Sequence, residues 1–263
     1  MGKKVDLEIK ENIAIIKFVD PERLNPLNKE TVKQLLELLE TIREENDIRC
    51  LIITGSGTAF SAGGDIKLFK SSIENGISGQ VMDDLTKHLY KIALILRIYP
   101  KPIIAAVNGW AVGAGMNLAL SCDFIIASEK AKFRQSFCKL ALIPGFAGSI
   151  LLSRQLTWQQ ATQMSFFGDI YTAKDMDKLG LINEIVPPEK LIEVSIYWAQ
   201  RLAKGPTLAY ARTKKLFFEA LSTPIEEHLE NERQMQIKSA ETEDYKKGVF
   251  ALIDKKEPDF IGK

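Results

Sequence analysis

The chain has 263 residues, with 35 Lys+Arg against 34 Asp+Glu and a formal net charge of +1. A hydrophobic fraction of 46% and a charged fraction of 26% describe a globular protein long enough to bury a core without disulfides or a structural metal. Near-neutrality argues against a nucleic-acid partner, and three scattered cysteines with two histidines supply neither a disulfide framework nor a zinc set.

The opening Met1-Gly2-Lys3-Lys4 lacks the apolar run of a signal peptide, so the expected compartment is cytoplasmic. Alternation over residues 5–19 predicts two short strands that turn at Glu11-Asn12 and end at Asp20-Pro21. Val32, Leu35, Leu36, Leu38, Leu39 and Ile42 recur at helical spacing and predict a helix over 29–45, with Asn28 as its N-cap. Arg49 to Thr54 reads as a buried strand, followed by Gly55-Ser56-Gly57. A helix is predicted over 80–98, stopped by Pro100 and Pro102. Ile103 to Val107 and Phe124 to Ala127 are further buried-type strands. The stretch Ile103 to Leu120 is too interrupted, by Asn108, three glycines and Asn117, to cross a membrane.

From 149 onward helices are predicted over 149–165, 172–179, 189–203, 206–221, 225–240 and 242–254. A short strand over Leu181 to Val186 precedes Pro187-Pro188. The chain is therefore mixed α/β in front and helical behind. The pattern after about residue 205 leaves open whether that helical appendage packs on its own core or covers a neighbouring subunit.

Two glycine-bearing loops follow buried strands and precede helical patterns. They are Ala59-Phe60-Ser61-Ala62-Gly63-Gly64-Asp65-Ile66-Lys67 and Asn108-Gly109-Trp110-Ala111-Val112-Gly113-Ala114-Gly115-Met116-Asn117. Small residues admit a ligand close to the backbone, and a loop entering a helix presents unpaired N–H groups at the positive end of the helix dipole. Two such loops, if they converge, give two donors to one oxygen that gains negative charge, as when a thioester carbonyl becomes an enolate. Tight packing alone is the competing explanation for each loop by itself. Gly113-Ala114-Gly115 lacks the third glycine and the acidic strand end of a dinucleotide fingerprint, and no phosphate-binding G-x-x-x-x-G-K-[ST] loop is present.

Taken together, the two loops resemble the enoyl-CoA hydratase/isomerase (crotonase) superfamily. The resemblance continues through Pro102-Ile103-Ile104-Ala105-Ala106-Val107-Asn108-Gly109, Cys122-Asp123, Ala131-Lys132-Phe133, Leu142-Ile143-Pro144-Gly145, Leu179-Gly180-Leu181-Ile182 and Gly248 to Phe260, in family order over nearly the whole chain. It implies an α/β fold, a spiral of ββα units over residues 1–204, with a helical trimerisation or lid region over 205–263. It implies a homotrimer or dimer of trimers, and an acyl-CoA or acyl-carrier thioester as substrate. No metal and no cofactor beyond the substrate's own coenzyme A are implied. Carried over by position, the oxyanion donors are the N–H groups of Gly64 and Ala114. Ala62, Asp65 and Ile66 would lie along the adenine and pantetheine side, with Leu24 and Arg23 near the nucleotide. Leu68, Trp110, Gly113 and Leu140 complete the substrate-binding set. Phe250, Lys255 and Lys256 are candidates to reach a CoA phosphate, with a solvated surface role as the alternative for each Lys.

The acid–base positions depart from the family pattern. Hydratases of the family place one Glu after the second glycine loop and another after the next strand; here those positions hold Asn117 and Phe137. The stretch 131–144 is more similar to the branch containing the phenylacetate-pathway isomerase, whose working carboxylate follows the proline; here that position is Gly145. None of the three can transfer a proton as a carboxylate does. Asp65 reads as a cap or loop-fixing group, Cys138 as a bland thiol, Asn117 as an orienting amide or a backbone cap, and His88 and His228 as surface or packing residues. The resemblance favours enoyl-CoA isomerisation first. Hydration, decarboxylation or other enolate chemistry, and acyl-CoA binding without turnover remain as alternatives.

Overall fold

A computed structural model describes residues 2–263; Met1 lies outside the described residues. β1 (Val5–Lys10) and β2 (Ile13–Phe18) form an antiparallel hairpin whose turn carries Glu11 at φ 51°. α1 (Lys29–Glu44) follows, and Asn28 caps it by accepting from Thr31 N. One face of α1 buries Val32, Leu35, Leu36, Leu39 and Ile42, the stripe that the helical spacing predicts.

Three consecutive strand pairs then build a spiral. They are β3 (Cys50–Gly55) with β4 (Ala59–Ser61), β5 (Ile103–Val107) with β6 (Trp110–Val112), and β7 (Phe124–Ser128) with β8 (Lys132–Arg134). The first strand of each pair joins a six-stranded sheet and the second joins a four-stranded sheet. Within each sheet these strands run parallel, so every turn of the chain stacks on the one before. α2 (Ile66–Glu74) and α3 (Ser78–Arg97) close the first unit, and α4 (Ala114–Ser121) closes the second. After the third pair come a 3-10 turn at Ser136–Leu140, α5 (Gly148–Gln155) and α6 (Trp158–Phe167). β9 (Ile170–Thr172) follows, antiparallel to β8, and then α7 (Ala173–Lys178). β10 (Glu184–Val186) completes the larger sheet beside β7, and α8 (Leu191–Ala203) covers one of its faces.

That sheet is buried on both sides, which is why its central strands read as apolar runs rather than alternations. Ile13, Ile15, Ile52, Ile104, Ala106 and Ile126 face α8, while Ile16, Leu51, Ile53, Ala105 and Val107 face the main core. The three-residue strands β4, β6, β8 and β9 escape sequence reading because three residues carry no usable period. The helix predicted over 149–165 is two. Thr157 accepts from Gln160 N while Gln160 reaches back to Thr157 N, and this capping box starts a new helix after Leu156.

The helical segment ends with α9 (Thr207–Glu219), α10 (Ile225–Ala240) and α11 (Glu243–Asp254). It docks on its own core. Arg49 donates to Gly205 O at 2.6 Å, Thr207 Oγ1 at 3.0 Å and Phe260 O at 2.9 Å. Lys214 of α9 pairs with Asp123 at 2.7 Å. α10 contributes no buried residue, and α11 leaves Phe250, Leu252 and Ile253 exposed. No helix among the described residues is long and apolar enough to cross a membrane.

Candidate active site

The two glycine loops meet because glycines allow backbone to touch backbone. A Cβ on Gly115 would collide with Ser61 O, and one on Gly63 would collide with Val112 O while lying 3.1 Å from Ala114 N. Gly63 O also accepts from Leu27 N at 2.7 Å, which ties the first loop to the start of α1. Gly113 takes φ 52° and ψ −118°, a region open to glycine, and so turns the chain out of β6 into α4 with Ala114 as the first helical residue. Among the described residues, neither Gly64 N nor Ala114 N donates a hydrogen bond to the protein. Both residues line one cavity of about 280 Å³. Two unpaired backbone donors, one at the positive end of a helix, therefore open onto the same enclosed space.

The rest of the wall is apolar. Ala62, Ile66 and Phe69 come from the first loop and α2. Leu85, Leu89 and Tyr90 come from α3, and Phe137, Leu140, Leu142 and Phe146 from the segment after β8. Side-chain polar groups on the wall are the hydroxyls of Thr86, Tyr90 and Ser136; no carboxylate, imidazole, amine or thiol lines it among the described residues. The Thr86 hydroxyl is committed to Met82 O at 2.8 Å.

A sequence model of the enoyl-CoA hydratase/isomerase family matches residues 8–263. The chain belongs to that family. It is 35% identical over 261 residues to a probable enoyl-CoA hydratase of Rhodobacter capsulatus, with 97% of each chain covered. It is 33% identical to the 1,2-epoxyphenylacetyl-CoA isomerase of Escherichia coli, again with 97% of each covered. The crystal structure of an enoyl-CoA hydratase from Polaromonas superposes with a TM-score of 0.92 at 29% identity, covering 97% of this chain and 99% of that one. The family is enzymatic and works on CoA thioesters, and the spiral of strand pairs is its fold.

The three positions at which the resemblance implies an acid have distinct places in the structure. Asn117 is fully buried on α4 and does not line the cavity. Its Nδ2 donates to Gly145 O and its Oδ1 accepts from Gln135 Nε2, each at 2.6 Å. With both ends of its amide committed, it clamps the loop around Gly145 and does not face a substrate. The Phe137 ring does line the cavity and lies between Gly113 and Gly145. It is 3.6 Å from a Cβ built on Gly113 and 3.4 Å from one built on Gly145. Gly145 lines the cavity with its backbone alone.

The substrate-binding expectations divide in the same way. Ala62, Ile66, Gly113 and Leu140 line the cavity; Leu24, Asp65, Leu68 and Trp110 do not. Asp65 is the N-cap of α2, accepting from Lys67 N at 3.1 Å and Leu68 N at 3.4 Å, and its other oxygen pairs with Arg23. Its role is to fix the loop. Leu24 acts through its backbone, its carbonyl accepting from Ala62 N at 2.8 Å. Leu68 lies half-buried on α2, outside the wall. Trp110 is turned away because strand alternation sends Ala111 into the core and Trp110 to the opposite face, where the Lys132 ammonium sits 5.1 Å over its ring. Phe250, Lys255 and Lys256 do not line this chain's own cavity. Burial pushes the Cys50 and Cys122 thiols far up, so neither is a thiolate. His88 Nδ1 lies 2.7 Å from Asp84 O, one turn back on its own helix.

Sequence reading missed the α3 wall and Ser136. The α3 signal was present as apolar residues in excess of one core stripe, with Tyr90 left 48% exposed beside the buried Leu89. Ser136 carries no local signal.

Proposed function

We propose that this protein acts on acyl-CoA thioesters through an enolate held by the N–H groups of Gly64 and Ala114, and that the enolate forms by loss of CO₂ from a carboxylated acyl group. The observation that carries this reading is the cavity wall, which offers two free backbone donors and no side chain able to take a proton as a carboxylate would. Hydration requires water to be activated and a proton delivered, and isomerisation requires a proton to be moved along the acyl chain. Decarboxylation needs no base. The Cα–carboxylate bond breaks, its electron pair becomes the enolate, CO₂ leaves, and Cα then takes a proton from water. An apolar wall of Phe137, Leu140, Leu142 and Phe146 disfavours the carboxylate relative to neutral CO₂. The two donors stabilise the oxygen on which the charge collects.

Isomerisation of an enoyl thioester is the second reading, supported by 28% identity over 261 residues to a trans-2-decenoyl-[acyl-carrier-protein] isomerase of Streptococcus mutans. The assay separates the readings. Malonyl-CoA and 2-substituted malonyl-CoA are followed for CO₂ release, 3-enoyl-CoA for gain of the conjugated thioester absorbance, and crotonyl-CoA for its loss. CO₂ release with the thioester retained supports decarboxylation. Turnover of either enoyl thioester without CO₂ release sinks it, and tight binding without any turnover marks an acyl-CoA-binding protein. The exposed apolar side chains Phe250, Leu252 and Ile253 of α11 support assembly of this chain as a trimer or dimer of trimers.

A further inference from the structure

The thioester cavity does not end at α3. A second cavity of about 530 Å³ continues from it, and Tyr90 and Ile143 line both. Its wall comes from α3, the loop before α5, α5 and the end of α9, and it is apolar apart from Tyr90, Ser149, Gln155 and one basic region. There the guanidinium groups of Arg97 and Arg154 enter the lining, and no carboxylate lines it among the described residues. Arg154 makes one long contact, to Leu221 O at 3.4 Å. Arg97 is half-buried and makes no hydrogen bond or ion pair among the described residues.

Arg97 also borders a recess of about 310 Å³ that contains Asp123, Lys101 and Lys214. The Asp123 carboxylate of that recess attracts Arg97 but makes no hydrogen bond with it. The single carboxylate, Asp123, accepts from Lys214 Nζ at 2.7 Å and from Ile103 N at 2.8 Å. Lys101 is committed to Glu45 O at 2.6 Å and to Ile42 O at 2.5 Å. Three cations against one carboxylate leave the lining of the recess with two positive charges in excess. A half-buried guanidinium with five donors and no hydrogen-bond partner, on the wall of a largely apolar groove, is free to pair with an anion.

We propose that the second cavity takes the far end of the acyl chain, and that Arg97, with Arg154 beside it, binds a carboxylate at that end. The substrate class is then a medium-length dicarboxylic acyl thioester, one carboxyl esterified to CoA and the other free. The distance suits this. From Leu89, on the thioester cavity, to Arg97 is eight residues of α3, about 12 Å at the helical rise. The apolar stretch between, including Ala93, Leu94 and Ile143, fits methylene groups. Arg matches a carboxylate with two parallel N–H donors, which gives direction as well as charge. This proposal rests on the thioester reading of the first cavity but not on which reaction follows.

The test uses the full-length protein and two unreactive saturated ligands, octanoyl-CoA and suberyl-CoA, which share an eight-carbon acyl chain and differ in the terminal carboxylate. Calorimetric titration should show suberyl-CoA binding tighter by about ten- to a hundred-fold, the value of hydrogen bonds to a charged partner. Arg97→Leu should erase that preference and leave octanoyl-CoA binding unchanged within about two-fold, while Arg97→Lys should keep part of it. The comparison in the parent protein needs no variant, so a folding defect in Arg97→Leu does not remove the test. Equal binding of the two ligands, or a preference that survives Arg97→Leu, overturns the proposal and leaves the cavity as a packing face. If neither thioester binds, the thioester reading itself falls, and this proposal falls with it.

Discussion

Asn117 and Gly145, two positions where the family resemblance leads one to expect an acid, are hydrogen-bonded to each other, Nδ2 to carbonyl oxygen, at 2.6 Å. The carbonyl can only accept, so the amide must present its NH₂ there, and its oxygen is left for Gln135 Nε2 at 2.6 Å. The pair is a clamp that holds one wall of the cavity.

Asn117→Ala should lower stability by about 1–3 kcal/mol, since it leaves Gln135 Nε2 unpaired in a buried site and Gly145 O with Gly148 N, at 3.0 Å, as its remaining donor. Asn117→Asp should cost more at neutral pH, because a carboxylate oxygen then faces a carbonyl oxygen. Burial raises the carboxyl pKa in the folded variant above the unfolded value of about 3.9. Its contribution is therefore fully favourable below that value and is lost as the pH rises through the folded one. Urea unfolding at pH 4 and pH 8 measures this; a variant with the same deficit at both would contradict the clamp.

Ala114→Pro is a clean test of the oxyanion assignment. Ala114 is the first residue of α4, where proline is accepted, and the substitution removes the N–H while keeping a helical φ. Circular dichroism should be unchanged and kcat should fall by about a hundred- to a thousand-fold, the cost of one oxyanion donor. Undiminished turnover would mean that Ala114 N touches no reacting oxygen.

Restoring a carboxylate should change the reaction. Gly145 is not in the left-handed region, and a Cβ there would rest 3.4 Å from the Phe137 ring, an ordinary contact. Gly145→Asp therefore places a carboxyl, with its pKa raised by apolar neighbours, at the edge of the cavity. The expected gain is measurable conversion of 3-enoyl-CoA to the conjugated thioester above the level of the parent protein, read by absorbance. No gain in a folded, CoA-binding variant would show that the cavity is closed to that chemistry for reasons other than the missing acid.

The Asp123–Lys214 pair links α9 to the core at side-chain exposures of 19% and 12%. Desolvation is the largest influence on both groups, raising the carboxyl and lowering the ammonium, and their mutual attraction opposes it. Lys214→Met alone should destabilise the protein by about 3–5 kcal/mol by stranding a buried carboxylate. Pairing it with Asp123→Asn, which still accepts from Ile103 N, should recover most of that loss. Thermal unfolding of both single variants and the double variant checks this, and simple additivity would contradict it.

Phe250, Leu252 and Ile253 lie 66%, 80% and 69% exposed on one short helix, more apolar surface than a solvent-facing element carries without a partner. Sedimentation of the parent should give a trimer or hexamer, and Leu252→Lys with Ile253→Lys should shift it to monomer. A parent that sediments as a monomer would contradict the assembly.

Much of the fold was legible in the sequence. The stripe of α1, the Asn28 cap, the apolar runs of β3, β5 and β7, and the proline stops all appear where the spacing places them. That Asn117, Phe137 and Gly145 carry no acid is read directly from the sequence. Asp65 as a cap followed from its place before a helix. The short strands, the break at Thr157 and the orientation of Trp110 were not legible. Three residues hold no period, and one tryptophan beside a glycine loop looks the same on either face of a strand.

What the sequence determined by itself is whatever local spacing encodes: which segments are strands or helices, and where glycines allow two loops to pass close. What only the tertiary structure decided is which side chains share a space. Asn117 and Gly145 are 28 residues apart, yet they meet, and the bond between them holds Asn117 off the cavity wall. Arg97, Lys101, Asp123 and Lys214 come from separate segments around one recess. Tyr90 and Ile143 join two cavities into one channel. The physical reason is that periodicity records which face of an element is apolar, whereas convergence depends on how successive strand pairs stack. That stacking is set by backbone contacts at Gly63 and Gly115, which bring distant segments to one site.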